Sequence, residues 1–329
     1  MTTILVTGGA GYIGSHVVRQ LGERGERLVT LDNLSTGFRG AVLHGEFVAG
    51  DTGDAALVSR ILAEHKVDTV MHFAAHISVP ESVEYPLKYY RNNTANTRTL
   101  LECCVAAGIR YFVFSSTAAV YGIPAAGVAT EDTPTEPINP YGRSKLMSEA
   151  MLTDVAAVTP LRYVSLRYFN VAGADPGGRI GQSTPEATHL IKVACEHVVG
   201  RRKQIAIFGT DYDTPDGTCV RDYIHVEDLA AAHLQALDFL RTGGASVTLN
   251  CGYGRGYSVR DVLNEVARVA GKTLAITESG RRAGDPPQLV AAAQRIRETL
   301  RWTPRHQDLA GIVRTALDWE QRLLRQPMA

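Results

Sequence analysis

The sequence predicts an α/β protein built on a doubly wound parallel sheet, followed by a smaller mixed C-terminal domain. Over the first half of the chain, short apolar segments of strand length alternate with segments of helix length. This is the pattern of a strand, a crossover helix and a parallel strand. The first strand also continues directly into a glycine-rich turn, residues 8–14, and then into a helix. After residue 172 the chain becomes richer in glycine, proline and polar residues, which indicates a boundary between domains.

Length and charge limit the possible functions. At 329 residues the chain is long enough for one main domain and a smaller second one. Its 34 basic and 34 acidic side chains cancel, and the sequence pI is about 7.1. Without net charge there is no overall attraction to nucleic acid or to an anionic membrane. We therefore expect neither as a partner, and an anionic ligand must be held by a local site.

The N-terminal segment is typical of a strand followed by a phosphate-binding turn. Ile4 to Thr7 form a short apolar run, as in a buried parallel strand. Gly8, Gly11 and Gly14 follow at once and allow a tight reversal, close approach of the backbone to a pyrophosphate, and close helix packing. A glycine pattern alone is weak evidence, but this one lies at the strand-to-helix junction that the binding mode requires. The sequence therefore predicts a Rossmann-type dinucleotide site.

The second predicted strand, 27–31, ends in Asp32 and Asn33. An acidic residue about 20 residues after the glycines can accept hydrogen bonds from the adenosine ribose hydroxyls and repels a 2′-phosphate. This position predicts NAD rather than NADP as the cofactor. The alternative is a polar residue that only ends a strand, and the glycine turn before it makes that alternative the weaker one.

Further strands and helices complete the predicted sheet. We expect strands at 46–49, 69–73, 111–115 and 163–168, and helices over 54–65 and up to about residue 107. Ligands of doubly wound sheets lie at the carboxyl ends of the strands. The segments found at such ends are Gly50-Asp51, Phe73-Ala74-Ala75, Ser115-Ser116-Thr117 and Phe169-Asn170.

A tyrosine and a lysine share one face of the next predicted helix. Asn139 can cap this helix and Pro140 suits its first turn, so Tyr141 and Lys145 stand at i and i+4. A free phenol titrates near pKa ~10, and an adjacent ammonium favours the phenolate, so the pair offers a general base near neutral pH. Lowering that pKa by about three units requires roughly 4 kcal/mol, which a close cation and a cationic cofactor could supply. Taken alone, the spacing could also be a chance neighbourhood.

The second half begins with a loop at 173–186 that is rich in glycine, proline and polar residues. We place the domain boundary there, with a NAD-binding domain at 1–172 and a second domain at 173–329 that can return a strand to the main sheet. The elements predicted within the second domain are a strand at 205–208 and helices near 187–199, 227–241, 258–270 and 308–324.

The remaining composition points to a cytoplasmic protein without metal. The chain starts with an apolar strand rather than a basic segment, and no stretch reaches eighteen consecutive apolar residues. No histidine has metal-ligand spacing to another ligand type, so we expect no metal site. The cysteines are odd in number and lack ligand or disulfide spacing, so we expect core or surface thiols at Cys103, Cys104, Cys195, Cys219 and Cys251.

Lined up, these motifs resemble the extended short-chain dehydrogenase/reductases. Within them the chain is similar to the UDP-glucose (UDP-galactose) 4-epimerases over almost its whole length. The most specific segments are VTGGAGYIGSH at 6–16, SSTAAVYG at 115–122 and IAIFGTDYDTPDGTCVRDYIHV at 205–226.

The resemblance implies the reaction and three catalytic residues. Tyr141 would take the proton from the sugar 4-hydroxyl of a UDP-hexose while the nicotinamide of NAD takes hydride from C4. Lys145 would lower the pKa of the tyrosine and hold the nicotinamide ribose, and Thr117 would hydrogen-bond the 4-oxygen. The alternative for Thr117 is a strand-end hydroxyl bonded to backbone. Rotation of the 4-keto sugar about its diphosphate and return of the hydride would interconvert UDP-glucose and UDP-galactose.

The resemblance also implies binding residues for both ligands. For NAD these are Gly8, Gly11, Tyr12, Ile13, Gly14, Asp32, Asn33, Asp51, Thr52, Phe73, Ala74, Ala75, Asn92, Ser115, Tyr141, Lys145, Tyr168 and Phe169. For the UDP-hexose they are Thr117, Tyr141, Asn170, His189, Leu190, Ala206, Phe208, Arg221, Tyr223, Arg282, Asp285 and Leu289. The two arginines are candidate bidentate phosphate ligands.

Some positions depart from the family pattern. The segment 73–78 lacks the lysine that some members have after Phe-Ala-Gly, and alanines occupy 291–293, where members often have an acidic residue or serine. Leu289 stands where a tyrosine is associated with plain hexoses and the smallest residues with N-acetyl sugars. Acceptance of N-acetylhexosamine substrates is therefore open.

Other functions share this fold. A nucleotide-sugar 4,6-dehydratase needs a carboxylic acid and a base where this chain has Thr117-Ala118-Ala119, so elimination is not expected. A decarboxylase or an epimerase of UDP-pentoses or uronates stays open, because pocket shape cannot be read here. A non-catalytic NAD-sensing protein would not need Tyr141 and Lys145 together with Thr117.

A homodimer is also implied by the resemblance. The helices near 86–107 and 143–157 carry apolar residues that could form a shared bundle. Packing within one chain would use the same residues, so the sequence does not separate the two arrangements.

Overall fold

The structure is a computed structural model that describes residues 2–326. Within this range the strands are β1 (Thr3–Thr7), β2 (Arg27–Asp32), β3 (Glu46–Ala49), β4 (Val67–His72), β5 (Tyr111–Ser115), β6 (Val128–Ala129), β7 (Arg162–Tyr168), β8 (Asn170–Ala172), β9 (Ile205–Phe208), β10 (Val220–His225), β11 (Val247–Cys251), β12 (Gly256–Ser258), β13 (Ile276–Ser279) and β14 (Gln288–Ala291). The α-helices of the same range are α1 (Tyr12–Glu23), α2 (Ala55–Glu64), α3 (Val79–Glu84), α4 (Pro86–Tyr89), α5 (Asn96–Ala106), α6 (Pro140–Val158), α7 (Leu190–Val198), α8 (Val226–Arg241), α9 (Val259–Ala270), α10 (Gln294–Leu300) and α11 (Leu309–Arg325).

A seven-stranded sheet, counted over residues 2–326, has the order β11-β7-β5-β4-β1-β2-β3. Every neighbouring pair is parallel. Because side chains alternate along a strand, Leu5 packs with residues of α2, α5 and α6 on one face, while Ile4 and Val6 pack with α1 and α8 on the other. The predicted doubly wound α/β sheet is confirmed.

The strand order reverses between β1 and β4, since β2 and β3 extend to one side of β1 and the later strands to the other. In doubly wound sheets the ligand crevice lies outside the carboxyl ends of the strands at such a reversal. The segments that leave these two strands are Gly8-Gly9 and Phe73-Ala74. The topology therefore brings two predicted cofactor segments to one crevice.

The second half contributes to the large sheet and also forms its own. The expected returning strand is β11, which pairs with β7, and α8 packs its buried face on the same sheet. A second sheet joins β12, β10, β14 and β6, with β8 paired to β10. The strands β6, β8, β10, β12, β13 and β14 are absent from the sequence prediction; all but the six-residue β10 have four residues or fewer, too few to show a periodicity. The division at residue 172 stays a prediction.

The helix expected to run up to residue 107 contains a π-helical segment. The chain forms α3 and α4, then a π-helical segment at Tyr90–Ala95, and then α5. The expected long helix is therefore confirmed over residues 86–106, but the π-helical turn within it was not predicted. A π-helical segment inside a helix often marks a functional site, and here it contains Asn92 and Asn93.

The cysteines and the helix lengths agree with ordinary globular packing. Cys103, Cys104, Cys195, Cys219 and Cys251 are buried and free, which confirms the expected thiols. In the described part of the chain, no helix combines the length and apolar character needed to cross a membrane.

Candidate active site

The glycine turn packs tightly at the strand reversal. Gly8 has φ +72°, and a Cβ there would lie 2.5 Å from the backbone nitrogen of Ala74. A Cβ on Gly14 would lie 2.3 Å from the carbonyl oxygen of Gly8. A side chain at residue 8 would collide with the backbone of Ala74, and one at residue 14 with the backbone of Gly8. Gly11 is the N-cap of α1 and offers no side-chain hydrogen bond, which leaves the first-turn N–H groups of the helix to a ligand.

Asp32 connects β2 to this turn. Its Oδ2 accepts a hydrogen bond from Ala10 N at 2.9 Å, and its Oδ1 accepts one from Leu34 N at 2.8 Å. Burial raises the pKa of the Asp32 carboxyl, and the two backbone hydrogen bonds oppose that rise. Each carboxylate oxygen keeps a further lone pair. Asp32 can therefore hold the turn in place and still accept a ribose hydroxyl.

Asp51, after β3, organises the neighbouring strand end. Its carboxylate accepts hydrogen bonds from Asn33 Nδ2 at 2.9 Å, Asn96 Nδ2 at 2.8 Å and Gly53 N at 2.8 Å. Thr52 beside it is buried. The structure thus places the predicted residues Asn33, Asp51 and Thr52 together, and adds Asn96 from α5, which the sequence prediction missed.

The segment after β4 is held by the π-helical segment. The side chain of Asn93 accepts from His76 N at 2.8 Å and donates to His76 O at 2.9 Å and to Ser144 Oγ at 3.0 Å. Asn92, the predicted cofactor residue, donates to Asn93 Oδ1 at 3.0 Å. Asn93 therefore connects the 73–76 segment to α6, although only its neighbour was predicted for the site.

The predicted base and its lysine lie at the start of α6. Asn139 Oδ1 accepts a hydrogen bond from Gly142 N at 2.8 Å, so the expected cap is present. Tyr141 and Lys145 are both buried, with exposed fractions of 6% and 2%. Lys145 Nζ donates to Ser115 O at 2.8 Å and lies 4.8 Å from the ring centroid of Phe114. The lysine therefore bridges α6 and the carboxyl end of β5.

The Thr117 side chain lies close enough to the Tyr141 hydroxyl to lower the pKa of the tyrosine. The Thr117 hydroxyl also accepts from Ala119 N at 3.1 Å, so the backbone bond considered as its alternative role is present beside the contact with Tyr141. Ser115 Oγ donates to the hydroxyl of Tyr168 at 3.0 Å. Phe169, next to Tyr168, is buried. The structure thus gathers the predicted residues of β5, α6 and β7 at one place.

Burial dominates the titration of the pair. Burial raises the pKa of Tyr141, and the nearby Thr117 side chain opposes that rise. It lowers the pKa of Lys145 to about 7, and the Glu149 carboxylate opposes that fall. The lowered tyrosine pKa expected from the sequence is therefore not reached with the groups of the protein alone. An additional positive charge is needed, such as that of the cationic cofactor that the sequence predicts.

Gly142 allows α6 to approach the turn that follows Thr117. A Cβ at this position would lie 2.4 Å from the carbonyl oxygen of Ala119 and 3.1 Å from Pro137 Cβ. The closeness of Tyr141 to Thr117 therefore depends on the lack of a side chain at residue 142. A glycine one residue after the tyrosine is a sequence signal for such an approach, and it was not used in the prediction.

Two predicted substrate residues form an ion pair above a third. Arg282 Nη2 lies 2.8 Å from Asp285 Oδ2, and its guanidinium carbon lies 4.8 Å from the ring centroid of Phe208. Between the pair, Gly284 has φ +85°, and a Cβ there would be 3.7 Å from Asn139 Cβ. This cluster of Arg282, Asp285 and Phe208 is thus next to the first turn of α6.

The predicted residues of the second sheet adjoin that cluster. Arg221 on β10 is opposite Leu289 on β14, and Tyr223 is opposite Asn170 on β8. Burial raises the pKa of Tyr223, and the charges of Arg221 and Arg282 oppose that rise. Both predicted phosphate ligands therefore lie near this tyrosine. Arg221 Nη1 itself donates to Val220 O at 2.9 Å.

The remaining predicted residues lie on α7 and β9. His189 is the N-cap of α7, directly before Leu190, and its Nδ1 is 2.8 Å from Gln182 Nε2. Burial lowers the pKa of His189, so the ring is neutral near pH 7. Ala206 lies two residues from Phe208 on β9 and is partly buried, which puts the two side chains on one face of the strand.

The crevice satisfies the requirements of a dinucleotide. A side chain at Gly8 or Gly14 would collide with backbone, the first turn of α1 has no side-chain cap, and Asp32 stands at the end of the adjacent strand. These are the turn, the anion site and the ribose acceptor of a Rossmann-type site. Among residues 2–326, no group of three or more His, Cys, Asp or Glu side chains is arranged to hold a metal ion.

Comparisons with known proteins agree with this geometry. The UDP-glucose 4-epimerase of Azospirillum brasilense is 62% identical over 97% of this chain and 92% of its own length. The crystal structure of UDP-glucose 4-epimerase from Brucella ovis in complex with NAD has a TM-score of 0.93 at 44% identity, covering 97% of this chain and 98% of that chain. The UDP-Glc/GlcNAc 4-epimerase of Campylobacter jejuni has a TM-score of 0.85 at 46% identity, covering 98% of this chain and 100% of that chain.

The family is assigned by a match to most of the chain. The sequence pattern of the NAD dependent epimerase/dehydratase family matches residues 4–252. That range contains the glycine turn, Thr117, Tyr141 and Lys145. The chain therefore belongs to the NAD dependent epimerase/dehydratase family, within which the relatives named above are UDP-sugar 4-epimerases.

Proposed function

We propose that this chain interconverts UDP-glucose and UDP-galactose by inverting C4 of the hexose, with NAD as a tightly held cofactor. The observation that carries the proposal is the arrangement of Tyr141, Thr117 and Lys145 beside the dinucleotide crevice. The name of the Azospirillum brasilense relative, 62% identical over 97% of the chain, supports the same reaction.

The residues around the crevice would bind NAD. The turn with Gly8, Gly11 and Gly14 would receive the pyrophosphate, and Asp32 the adenosine ribose. Residues after the other strands, and Asn92, would line the rest of the cofactor: Asn33, Asp51, Thr52, Phe73 to Ala75, Ser115, Tyr168 and Phe169. Tyr12 and Ile13 open the helix whose N-terminus faces the anion. When bound, NAD supplies an acceptor that takes a hydride and returns it.

Tyr141 would exchange the proton of the sugar 4-hydroxyl. The closeness of the Thr117 side chain supports this role, because a sugar oxygen placed between the two hydroxyls would contact both. The Lys145 ammonium favours the phenolate form of the tyrosine. Since Lys145 has a pKa of about 7 in these surroundings, we expect its charge to change within the working pH range.

The UDP part would be held by the second sheet and the segments around it. Arg282 and Arg221 carry the positive charge for a diphosphate, and Asp285 would contact a ribose. The remaining residues proposed for the nucleotide are Asn170, His189, Leu190, Ala206, Phe208 and Tyr223. Because no charged side chain is proposed for the hexose, it would be free to turn about its diphosphate. We also propose that residues 173–329 supply most of this second site.

Replacement of Tyr141 tests the reaction. We expect Tyr141→Phe to lower turnover of UDP-galactose by at least about 100-fold, the usual contribution of a positioned acid–base group. The variant should keep its NAD, which extraction and enzymatic assay of the cofactor measure. Tyr85→Phe is the matched control, since Tyr85 is 54% exposed, and it should leave turnover unchanged. Near-normal turnover of Tyr141→Phe would contradict the assignment of the base.

The choice of sugar depends on the pocket near Leu289. Its side chain is mostly buried, with 8% exposed, opposite Arg221. The name of the Campylobacter jejuni relative covers both Glc and GlcNAc, which keeps N-acetylhexosamines as the second candidate. Incubation with a panel of UDP-hexoses, N-acetylhexosamines, pentoses and uronates, with products separated by chromatography, distinguishes the candidates.

We further propose a homodimer and a cytoplasmic location. Exposed apolar side chains on α3, α4 and α6 support the dimer, with Leu87 78% and Met147 42% exposed. The free buried cysteines suit a reducing compartment. Sedimentation would give the mass of the dimer, and a monomer at micromolar concentration would reject it.

A further inference from the structure

Glu149 is a buried carboxylate one helical turn after Lys145. Only 5% of this residue is exposed. Arg167 on β7 donates to it from Nε at 3.0 and 3.1 Å and from Nη2 at 2.6 Å. Ser116 Oγ also donates to its Oε1. A cation and a hydroxyl therefore compensate for the burial of this carboxylate.

Lys145 and Glu149 hold consecutive residues of one strand end. Lys145 Nζ donates to Ser115 O at 2.8 Å, and Glu149 binds the hydroxyl of Ser116. Thr117 is the next residue and the N-cap of the 3-10 turn that follows. Two side chains one turn apart on α6 therefore fix the segment that ends in Thr117.

Arg167 extends this support to the far end of the same turn. Its Nη1 donates to the hydroxyl of Tyr121 at 2.9 Å, and Tyr121 closes the 3-10 turn that begins after Thr117. The Tyr121 hydroxyl donates to Asn250 Oδ1 at 2.7 Å. The turn is thus fixed at its start through Glu149 and at its end through Arg167.

We propose that Glu149 is a positioning residue of the reaction, which places a negative charge one helical turn from Lys145 and, together with Arg167, holds the segment that carries Thr117. This inference rests on the proposed function, because it acts through Lys145 and Thr117. Glu149 touches neither ligand in this scheme, so its effect must appear in the properties of those two residues.

The charges around Lys145 support an electrostatic role. Glu149 and Tyr141 lie one turn from Lys145 on α6, and the charge of Lys145 reaches His72 on β4. On β7, Arg167 pairs with Glu149 and Tyr168 lies near Tyr141. Burial lowers the pKa of His72 to about 3, and the charge of Lys145 contributes to that fall, so this ring is neutral. Burial lowers the pKa of Lys145, and Glu149 opposes that effect. Loss of the Glu149 charge should therefore lower the lysine pKa further.

The experiment compares Glu149→Gln with wild type in the NAD-loaded protein. The chain has six lysines, so 13Cε-lysine labelling gives a simple NMR spectrum, and Lys145→Arg assigns the signal. We expect the Lys145 pKa to fall by about one unit, a typical effect of one neighbouring charge. The alkaline limb of the pH–rate profile should move to lower pH by the same amount.

The controls separate charge from packing. Asp154→Asn removes an exposed carboxylate from the same helix and should move neither the NMR titration nor the pH profile. Glu149→Asp keeps the charge and should restore the wild-type lysine pKa. If Glu149→Gln leaves the lysine pKa and the alkaline limb in place, Glu149 is only structural and the proposal is wrong.

A double variant keeps the test valid if Glu149→Gln alone does not fold. Glu149→Gln leaves Arg167 buried without its partner, which can cost several kcal/mol, whereas Glu149→Gln/Arg167→Gln removes both charges. We expect the lysine pKa to fall by less in this variant, because loss of the Arg167 charge acts in the opposite direction, and a lysine pKa that rises there would reject the proposal. If wild-type protein fails to epimerise any UDP-sugar, the proposed function fails instead, while the Lys145 titration still reports on Glu149.

Discussion

Tyr141 and Lys145 illustrate how residue chemistry at this site depends on burial. Both side chains are nearly inaccessible, and in both burial favours the neutral form, so it raises the pKa of the phenol and lowers that of the ammonium. Their spacing predicted the pair, but the size and sign of these effects depend on what covers it. The lysine pKa of about 7 means that the charge of this residue is controlled by its neighbours at ordinary pH.

Gly142→Ala tests how a single residue positions the catalytic pair. Alanine favours a helix interior over glycine by about 1 kcal/mol, but its Cβ would be 2.4 Å from Ala119 O. We expect α6 and the turn after Thr117 to separate, with turnover lowered by on the order of 100-fold, because a displacement of about 1 Å at reacting groups has that effect. Steady-state kinetics and thermal unfolding measure the two consequences.

A second helical glycine provides the control for this variant. A Cβ added to Gly311, in α11, would have Asp308 Oδ2 as its nearest neighbour at 3.7 Å, which is an ordinary contact. Gly311→Ala should raise stability by up to about 1 kcal/mol and leave turnover unchanged. If Gly142→Ala behaves in the same way, the close approach does not position the catalytic pair.

At the scale of elements, the π-helical segment Tyr90–Ala95 joins two parts of the crevice. Asn93 in this segment binds both backbone groups of His76 and the hydroxyl of Ser144 on α6. The irregular turn thus fixes the loop after β4 relative to the helix that carries Tyr141. Sequence periodicity predicts a helix here, but it does not show that the turn at Tyr90–Ala95 is π-helical and so contains one more residue than an α-helical turn.

Asn93→Ala tests this connection. The change removes four side-chain hydrogen bonds and leaves the half-buried backbone groups of His76 without these partners, and an unsatisfied buried group typically costs about 1–3 kcal/mol. We expect faster amide exchange at His76 and partial loss of NAD on dialysis. Hydrogen–deuterium exchange and cofactor assay measure both effects. Thr99→Ala, on the adjacent α5, is the control, and equal behaviour of the two variants would contradict the proposed link.

At the scale of the whole molecule, the second half of the chain is part of the first sheet. β11 pairs with β7, and α8 packs Leu229, Leu234 and Leu237 into the core shared with β1 and α1. Full burial of a leucine contributes about 1.5–3 kcal/mol, so these three represent a large share of a typical total stability of about 5–15 kcal/mol. A cofactor domain without them would be incomplete.

Truncation tests this dependence. We expect a chain that ends at residue 172 to aggregate or to unfold without a cooperative transition, because it lacks α8 and β11. A chain that ends at residue 252 keeps both and serves as the control, with a more cooperative transition in urea followed by circular dichroism. A stable, NAD-binding fragment 1–172 would show instead that the first domain folds independently.

The sequence by itself determined the parallel sheet, the glycine turn, Asp32 and the Tyr141/Lys145 pair. These depend on local spacing: periodicity along strands and helices, residues at strand ends, and neighbours one turn apart on a helix. It did not predict the strands of the second sheet, the π-helical segment, or the roles of Asn93, Gly142 and Glu149.

Only the tertiary structure decided those features, because each depends on residues far apart in the chain. Asn93 meets His76 and Ser144, Gly142 meets Ala119, and Glu149 meets Arg167 and Ser116. The same holds for the pKa values of Tyr141 and Lys145, which depend on the burial produced by β5, β7 and α6 together. The local spacing of residues decides which side chains share one face of a helix or strand. Packing between distant parts of the chain decides how far apart these side chains lie, which hydrogen-bond partners they have and whether they are charged.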